Sequence, residues 1–228
     1  MIRVLILLGA VLSSFSSKAF TPHDLWQNWP EARLETTAAP CLGHSLLMQR
    51  MQVLKSWYPD SIKLEEVGKS FLGRPIKMLT MGKGDKKILF WSQMHGDEPS
   101  ATPALLDIAN FLLEHADDPV AQSILEQYTL LMIPMLNPDG AEIYKRRNAQ
   151  GIDVNRDALQ LSTPEGRILK RVRDEYEPML GFNLHDQDRR VSVGTTGLLA
   201  TNAVLAVPGD AANTLTPGRE LTLSLIHI

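Results

Sequence analysis

Apolar residues along the chain fall into two rhythms, and their alternation predicts the architecture. Short, almost continuous apolar runs at Lys87 to Trp91, Leu130 to Met135 and Met179 to Leu184 read as strands buried on both faces. His44 to Trp57 and Pro99 to Leu113 instead place apolar residues at helical spacing. Tyr58-Pro59-Asp60 closes the first helix, and Val67-Gly68 and Met81-Gly82-Lys83-Gly84-Asp85 mark turns between strands. Strands alternating with helices predict an α/β layer architecture in one domain. There is no internal repeat and no low-complexity tract.

The first residues follow another pattern. Met1-Ile2-Arg3, the apolar run Val4 to Leu12 and the small-residue stretch ending at Ala19 have the three parts of a secretory signal peptide. The apolar run is too short to span a bilayer, and no later segment is apolar enough. An exported protein is therefore expected, secreted or periplasmic. Residues 20–43 are expected to form an irregular N-terminal segment. Without Arg3 and Lys18 of the leader, 21 basic residues face 26 acidic ones, a net charge of −5 against −3 for the whole chain. That balance offers no basic face for nucleic acid. The lone Cys41 cannot form an internal disulfide, so stability must come from the core.

Candidate chemistry sits at the strand ends. His95 and Glu98 fall where the Lys87 to Trp91 strand hands over to a helix, the place where open α/β sheets bind ligands. A histidine and a carboxylate three residues apart can both reach one cation at about 2.0–2.2 Å. Two ligands alone are a weak signal. The second strand leads into Asn137-Pro138-Asp139-Gly140, then Arg146-Arg147-Asn148 and Gly151-Ile152-Asp153-Val154-Asn155-Arg156-Asp157, and the third strand delivers His185. Taken singly, His185 is a histidine capping a strand end, Asp153 a turn acid and Lys145-Arg146-Arg147 a solvated basic turn.

Together, and in this order over residues 63–188, these elements resemble the zinc carboxypeptidase (carboxypeptidase A-like) family. Its fingerprint is H-x-x-E, N-P-D-G, R-x-N, D-x-N-R and a distant histidine, and Gly73-Arg74-Pro75-Ile76 is similar to its lead-in. The resemblance implies a three-layer sandwich with a mixed, mostly parallel central sheet flanked by helices, incomplete at the C-terminus. It implies one Zn2+ per chain on His95, Glu98 and His185. Three protein ligands leave a fourth position for water, as catalytic zinc sites do. Asp153 matches the carboxylate that orients His95. Arg146 matches the arginine that stabilises the oxyanion, and Asn155 and Arg156 match the pair that grips a terminal carboxylate. The implied partner is a peptide or peptide-like substrate with a free C-terminal carboxylate, acted on by a monomer. An N-acyl amino acid deacylase of related fold is the alternative hydrolase.

The chain departs from the family in two respects. The family's general-base glutamate, with a covering tyrosine, lies well downstream of the third ligand, and this chain has no match for either. After His185 only Glu220 remains, in no matching motif. The loop Asp186-Gln187-Asp188-Arg189-Arg190 is unusually charged, which leaves the substrate class open. Leu223 to Ile228 back-translates to a transposase adapter end used in sequencing libraries. The expectation is that residues 44–222 are a partial catalytic domain, residues 223–228 an artefact, and the 228-residue chain an inactive zinc- or peptide-binding fragment. The remaining histidines His23, His44 and His115 are expected at the surface, Arg147 in a solvated turn and Asn137 to Gly140 as a structural turn.

Overall fold

Alternating side chains sort five strands onto two apolar faces in the computed structural model, which describes residues 42–186. The expected leader, nearly all of the irregular segment and the 223–228 end lie outside the described residues. The strands are β1 (Ile62–Lys69), β2 (Pro75–Met81), β3 (Lys86–Ser92), β4 (Tyr128–Ile133) and β5 (Leu180–Leu184). They form one sheet in the order β1-β2-β4-β3-β5.

The sheet is mixed. β1 and β2 pair antiparallel, as do β2 and β4, whereas β3 runs parallel to both β4 and β5. The expected parallel character holds for the β4-β3-β5 half, and the β1–β2 hairpin, closed by the tight 70–74 turn, adds an antiparallel half through β2 against β4. The parallel half needs crossovers, and helices supply them.

Helices cover both faces. α1 (His44–Trp57) has the bounds the periodicity predicts and buries His44, Leu47, Met51 and Leu54. With α2 (Ala101–Glu114) and α3 (Pro119–Gln127) it packs on Leu79, Met81, Leu130 and Met132. The opposite face presents Ile76, Met78, Leu131 and Ile133 to Val154 and to Ile168 and Val172 of α5 (Pro164–Tyr176). Leu130/Met132 and Leu131/Ile133 show the period of two that separates the faces. Burial on both sides explains the unbroken apolar run in β4. Pro119 and Pro164 open their helices at positions where a missing N–H costs nothing, behind the caps Asp118 and Thr163.

Two buried carboxylates fix the β1–β2 turn. Asp139 accepts from the Ser70 hydroxyl at 2.8 Å, the Leu72 N–H at 2.9 Å and Arg74 at 2.6 Å. Glu165 accepts from the Phe71 N–H at 3.2 Å and from Asn148 Nδ2 at 3.0 Å. Asn137 to Gly140, expected as a turn, enters the short helix α4 (Pro138–Glu142), whose first turn Asn137 caps through the Gly140 N–H.

His44 corrects the sequence expectation. It is buried rather than at the surface, its Nε2 lying 2.8 Å from the Pro75 carbonyl oxygen while its backbone N–H meets Glu142. A ring at the start of a helix that lies on a sheet edge has its polar atom met there and can be buried. His115 stays partly exposed, stacked on Phe111. His23 lies outside the described residues.

A candidate metal centre

β3 ends at Ser92, and the chain then turns sharply. Gln93 takes a left-handed φ of 50°, a conformation held only where neighbours impose it. Its Nε2 donates to the Gly96 carbonyl at 3.0 Å, closing the loop on itself, and its Oε1 accepts from the Thr102 hydroxyl at 2.6 Å. The Leu136 and Asn137 N–H groups bond the Ser92 and Gln93 carbonyls, so the β4 exit runs alongside. Asn137 Nδ2 reaches both the Met94 carbonyl at 3.3 Å and the Arg146 carbonyl at 3.4 Å. Gly96 lets the two segments touch, since a Cβ there would stand 2.0 Å from the Gly140 backbone.

This frame carries His95, 2% exposed, and Glu98. The parallel β5 register sets Leu184 opposite Ser92 and delivers His185 to the same place. Glu98 Oε1 lies 2.8 Å from His95 Nδ1 and Glu98 Oε2 lies 2.5 Å from His185 Nδ1. One donor atom from each of the three residues falls within 4.8 Å of the others. Two imidazole nitrogens and a carboxylate suit a divalent cation of zinc's borderline character. Burial pushes the Glu98 carboxyl upward. The hydrogen bonds and charge of His185 and His95 outweigh burial and bring it to about 2, so it is an anion at ordinary pH.

Asp153 lies behind His95, its Oδ1 3.1 Å from His95 Nε2. Donating the Nε2 hydrogen there would free Nδ1 to ligate a cation in place of its contact with Glu98, the orientation a ligating histidine needs. The same Oδ1 caps the 3-10 turn Val154–Arg156 through the Asn155 N–H at 3.0 Å. Burial raises the Asp153 carboxyl, but His95 and Arg146 together hold it below the usual range. Arg146 spans the group: Nε donates to Asp153 Oδ2 at 3.0 Å, and Nη1 lies 3.1 Å from His95 Nδ1 and 3.5 Å from Glu98 Oε1. Asn155 Nδ2 is 3.4 Å from His185 Nε2.

His95, Glu98, His185, Asp153, Arg146 and Asn155 therefore meet, although 90 residues separate the first from the last. Arg156 does not join them. Its exposed guanidinium donates to the Asn155 carbonyl at 3.2 Å and faces a neighbouring cleft. Four supporting residues escape the sequence reading: Gln93, Thr102, Asn183 and Asp186. Asn183 Nδ2 donates to Asn155 Oδ1 at 3.3 Å, and Asp186 accepts from the Ser100 hydroxyl at 3.0 Å at the foot of α2. Strand period marks Asn183, two residues before His185 and on its face. Nothing local marks the other three.

Comparison with known proteins gives a consistent picture. The family model described as zinc carboxypeptidase matches residues 47–178. Carboxypeptidase SOL1 of Arabidopsis thaliana is 36% identical over 151 residues, which cover 63% of this chain and 30% of that protein. A metallo-carboxypeptidase from Pseudomonas aeruginosa, solved in complex with (2-guanidinoethylmercapto)succinic acid, superposes with a TM-score of 0.54 at 27% identity. The match covers 61% of this chain and 39% of that one. A metallo-carboxypeptidase from Burkholderia cenocepacia shares the fold, with a TM-score of 0.56 at 23% identity over 63% of this chain and 40% of that one. The chain spans about a third of the length of the curated relatives it matches.

Proposed function

The chain belongs to the zinc carboxypeptidase family, and on that premise we propose that the full-length protein hydrolyses the C-terminal amide bond of peptides, with one zinc ion held by His95, Glu98 and His185. The observation that carries this reading is the convergence of those three side chains within 4.8 Å, with Asp153 behind His95 and Arg146 beside it. A bound zinc ion supplies Lewis acidity to the scissile carbonyl and to the attacking water.

The described residues orient and bind, and none of them is assigned the proton of the attacking water. Asp153 keeps the His95 hydrogen on Nε2 and so fixes the ring's orientation. Arg146 presents a fixed positive donor to the oxygen on which charge develops, worth roughly 2.7–4 kcal/mol by comparison with other such donors. Asn155 and Arg156 hold the substrate's terminal carboxylate, for which the planar guanidinium fork is well shaped. Arg156 reaches the centre by turning from the Asn155 carbonyl, an exposed contact that is readily exchanged.

We place the protein outside the cytoplasm, secreted or periplasmic, on the residue pattern of Met1 to Ala19, and read it as a monomer. No described helix is long and apolar enough to cross a membrane.

A peptide library incubated with the zinc-loaded full-length protein tests the activity. Release of free C-terminal amino acids, stopped by C-terminal amidation, is the expected result. Cleavage confined to N-acyl amino acids would make it a deacylase.

A further inference from the structure

A cleft of about 500 Å3 adjoins the metal cluster along the 151–157 loop, and both Arg147 and Arg156 line it. Its wall also contains Asp153 and Asp157, but their carboxylates are already engaged inside the protein. Asp153 serves His95, Arg146 and the Asn155 N–H. Asp157, 3% exposed, accepts from the Ser162 N–H at 2.8 Å, the Thr163 N–H at 2.8 Å and the Thr163 hydroxyl at 2.6 Å.

The arginines are in the opposite condition. Among the described residues, Arg147 donates only to the Gly151 carbonyl at 2.9 Å, and Arg156 only to the Asn155 carbonyl. Among the described residues neither guanidinium meets a carboxylate. Each keeps most of its donors free among those residues, so their side of the cleft presents two positive forks and no free acid. A guanidinium fork matches a carboxylate with two parallel hydrogen bonds.

Resting on the assignment of Arg156 to the terminal carboxylate, we propose that this cleft is an anion subsite that selects substrates whose C-terminal residue is acidic. Arg147 would take the side-chain carboxylate while Arg156 takes the terminal one. The Arg147 bond to Gly151 anchors one edge of its guanidinium and leaves the other for the ligand, so little side-chain freedom is lost on binding.

Calorimetric titration of the zinc-loaded full chain with N-acetyl-L-glutamate and N-acetyl-L-glutamine tests this. The two ligands share the terminal carboxylate and differ only in the side-chain charge. Glutamate should bind about tenfold more tightly, as expected for one additional charge-assisted interaction. Arg147→Gln should reduce that ratio to about one, and Arg147→Lys should restore part of it. The ratio should also shrink as salt rises. Equal affinity for both ligands in the unsubstituted protein, with both lost in Arg156→Gln, would overturn the subsite and leave the carboxylate assignment standing. If Arg156→Gln leaves the affinity for both ligands intact, the carboxylate assignment fails and the subsite falls with it.

Discussion

The Thr102 hydroxyl lies 2.6 Å from Gln93 Oε1 and 2.8 Å from the Pro134 carbonyl, so one side chain of α2 grips both the loop before His95 and the exit of β4. Both residues are almost fully buried. Thr102→Val preserves shape but removes the one hydroxyl hydrogen that the two acceptors share, and should cost about 1–3 kcal/mol in urea unfolding. Gln93→Gly accepts the left-handed backbone without strain yet removes both tethers. It should weaken cobalt or zinc affinity more than it lowers stability. A Gln93→Gly protein with undiminished metal affinity would show that the loop holds His95 without the side chain.

Removing a ligand should be distinguishable from removing any histidine. Substituting His95→Ala or His185→Ala should abolish stoichiometric zinc, whereas His115→Ala, on a helix end away from the cluster, should retain it. Metal analysis after dialysis reads the difference. Equal zinc in His185→Ala and the parent protein would sink the third-ligand assignment. Chelation should lower stability as well, by about 2.7 kcal/mol relative to protein held at zinc one hundred times its dissociation constant.

In the full-length enzyme Arg146 and Arg156 should separate binding from chemistry. On the proposed roles, Arg156 holds the carboxylate in ground and transition states alike, so Arg156→Ala should raise KM. Arg146 would act on charge that appears only in the transition state, so Arg146→Ala should lower kcat. Amidation of the substrate's C-terminus should mimic Arg156→Ala and add little to it, because both remove one ion pair. Fully additive losses would place the carboxylate elsewhere.

Away from the centre, Tyr176 donates to Glu65 Oε1 at 2.7 Å and pins α5 to β1. The Glu65 bond, helped by burial, raises the Tyr176 hydroxyl to about 12. Burial pushes Glu65 upward, but Lys63 and Tyr176 more than reverse this and leave its carboxyl below the usual range. The raised tyrosine contributes stability that is complete below pH 10 and is lost as pH climbs towards 12. The lowered glutamate contributes stability present above its unfolded value and lost in acid. Tyr176→Phe should cost about 1 kcal/mol at neutral pH and flatten the alkaline side of the stability profile. An unchanged alkaline limb in that variant would assign it to other groups.

Much of this organisation is legible in the chain because it is local. α1 follows from apolar positions three and four apart, and β4 from an unbroken apolar run. His95 and Glu98 declare themselves at a strand end. What is hidden is long-range and polar. The Asp139 clamp joins groups 65 to 69 residues apart, and Glu165 reaches across 94 to Phe71. No periodicity encodes such partners, so their buried carboxylates look like ordinary turn and helix acids. His44 misleads for the same reason, since the Pro75 carbonyl that permits its burial is remote in sequence. Arg156 is recognisable by its neighbours, but the direction of its side chain is not.

The separation of 87 residues between Glu98 and His185 makes the centre a checksum on assembly. His95 and Glu98 can come together once β3 and its loop are formed, giving two donors and weak retention of a cation. The third donor arrives only when β5 docks on β3 in the register that sets Leu184 against Ser92. Because side chains alternate along a strand, a slip of one residue would send His185 to the wrong face. A protein that misassembled there could keep most of its core and still fail to hold metal. If the proposed ion binds there, its tight retention would certify a correctly closed sheet.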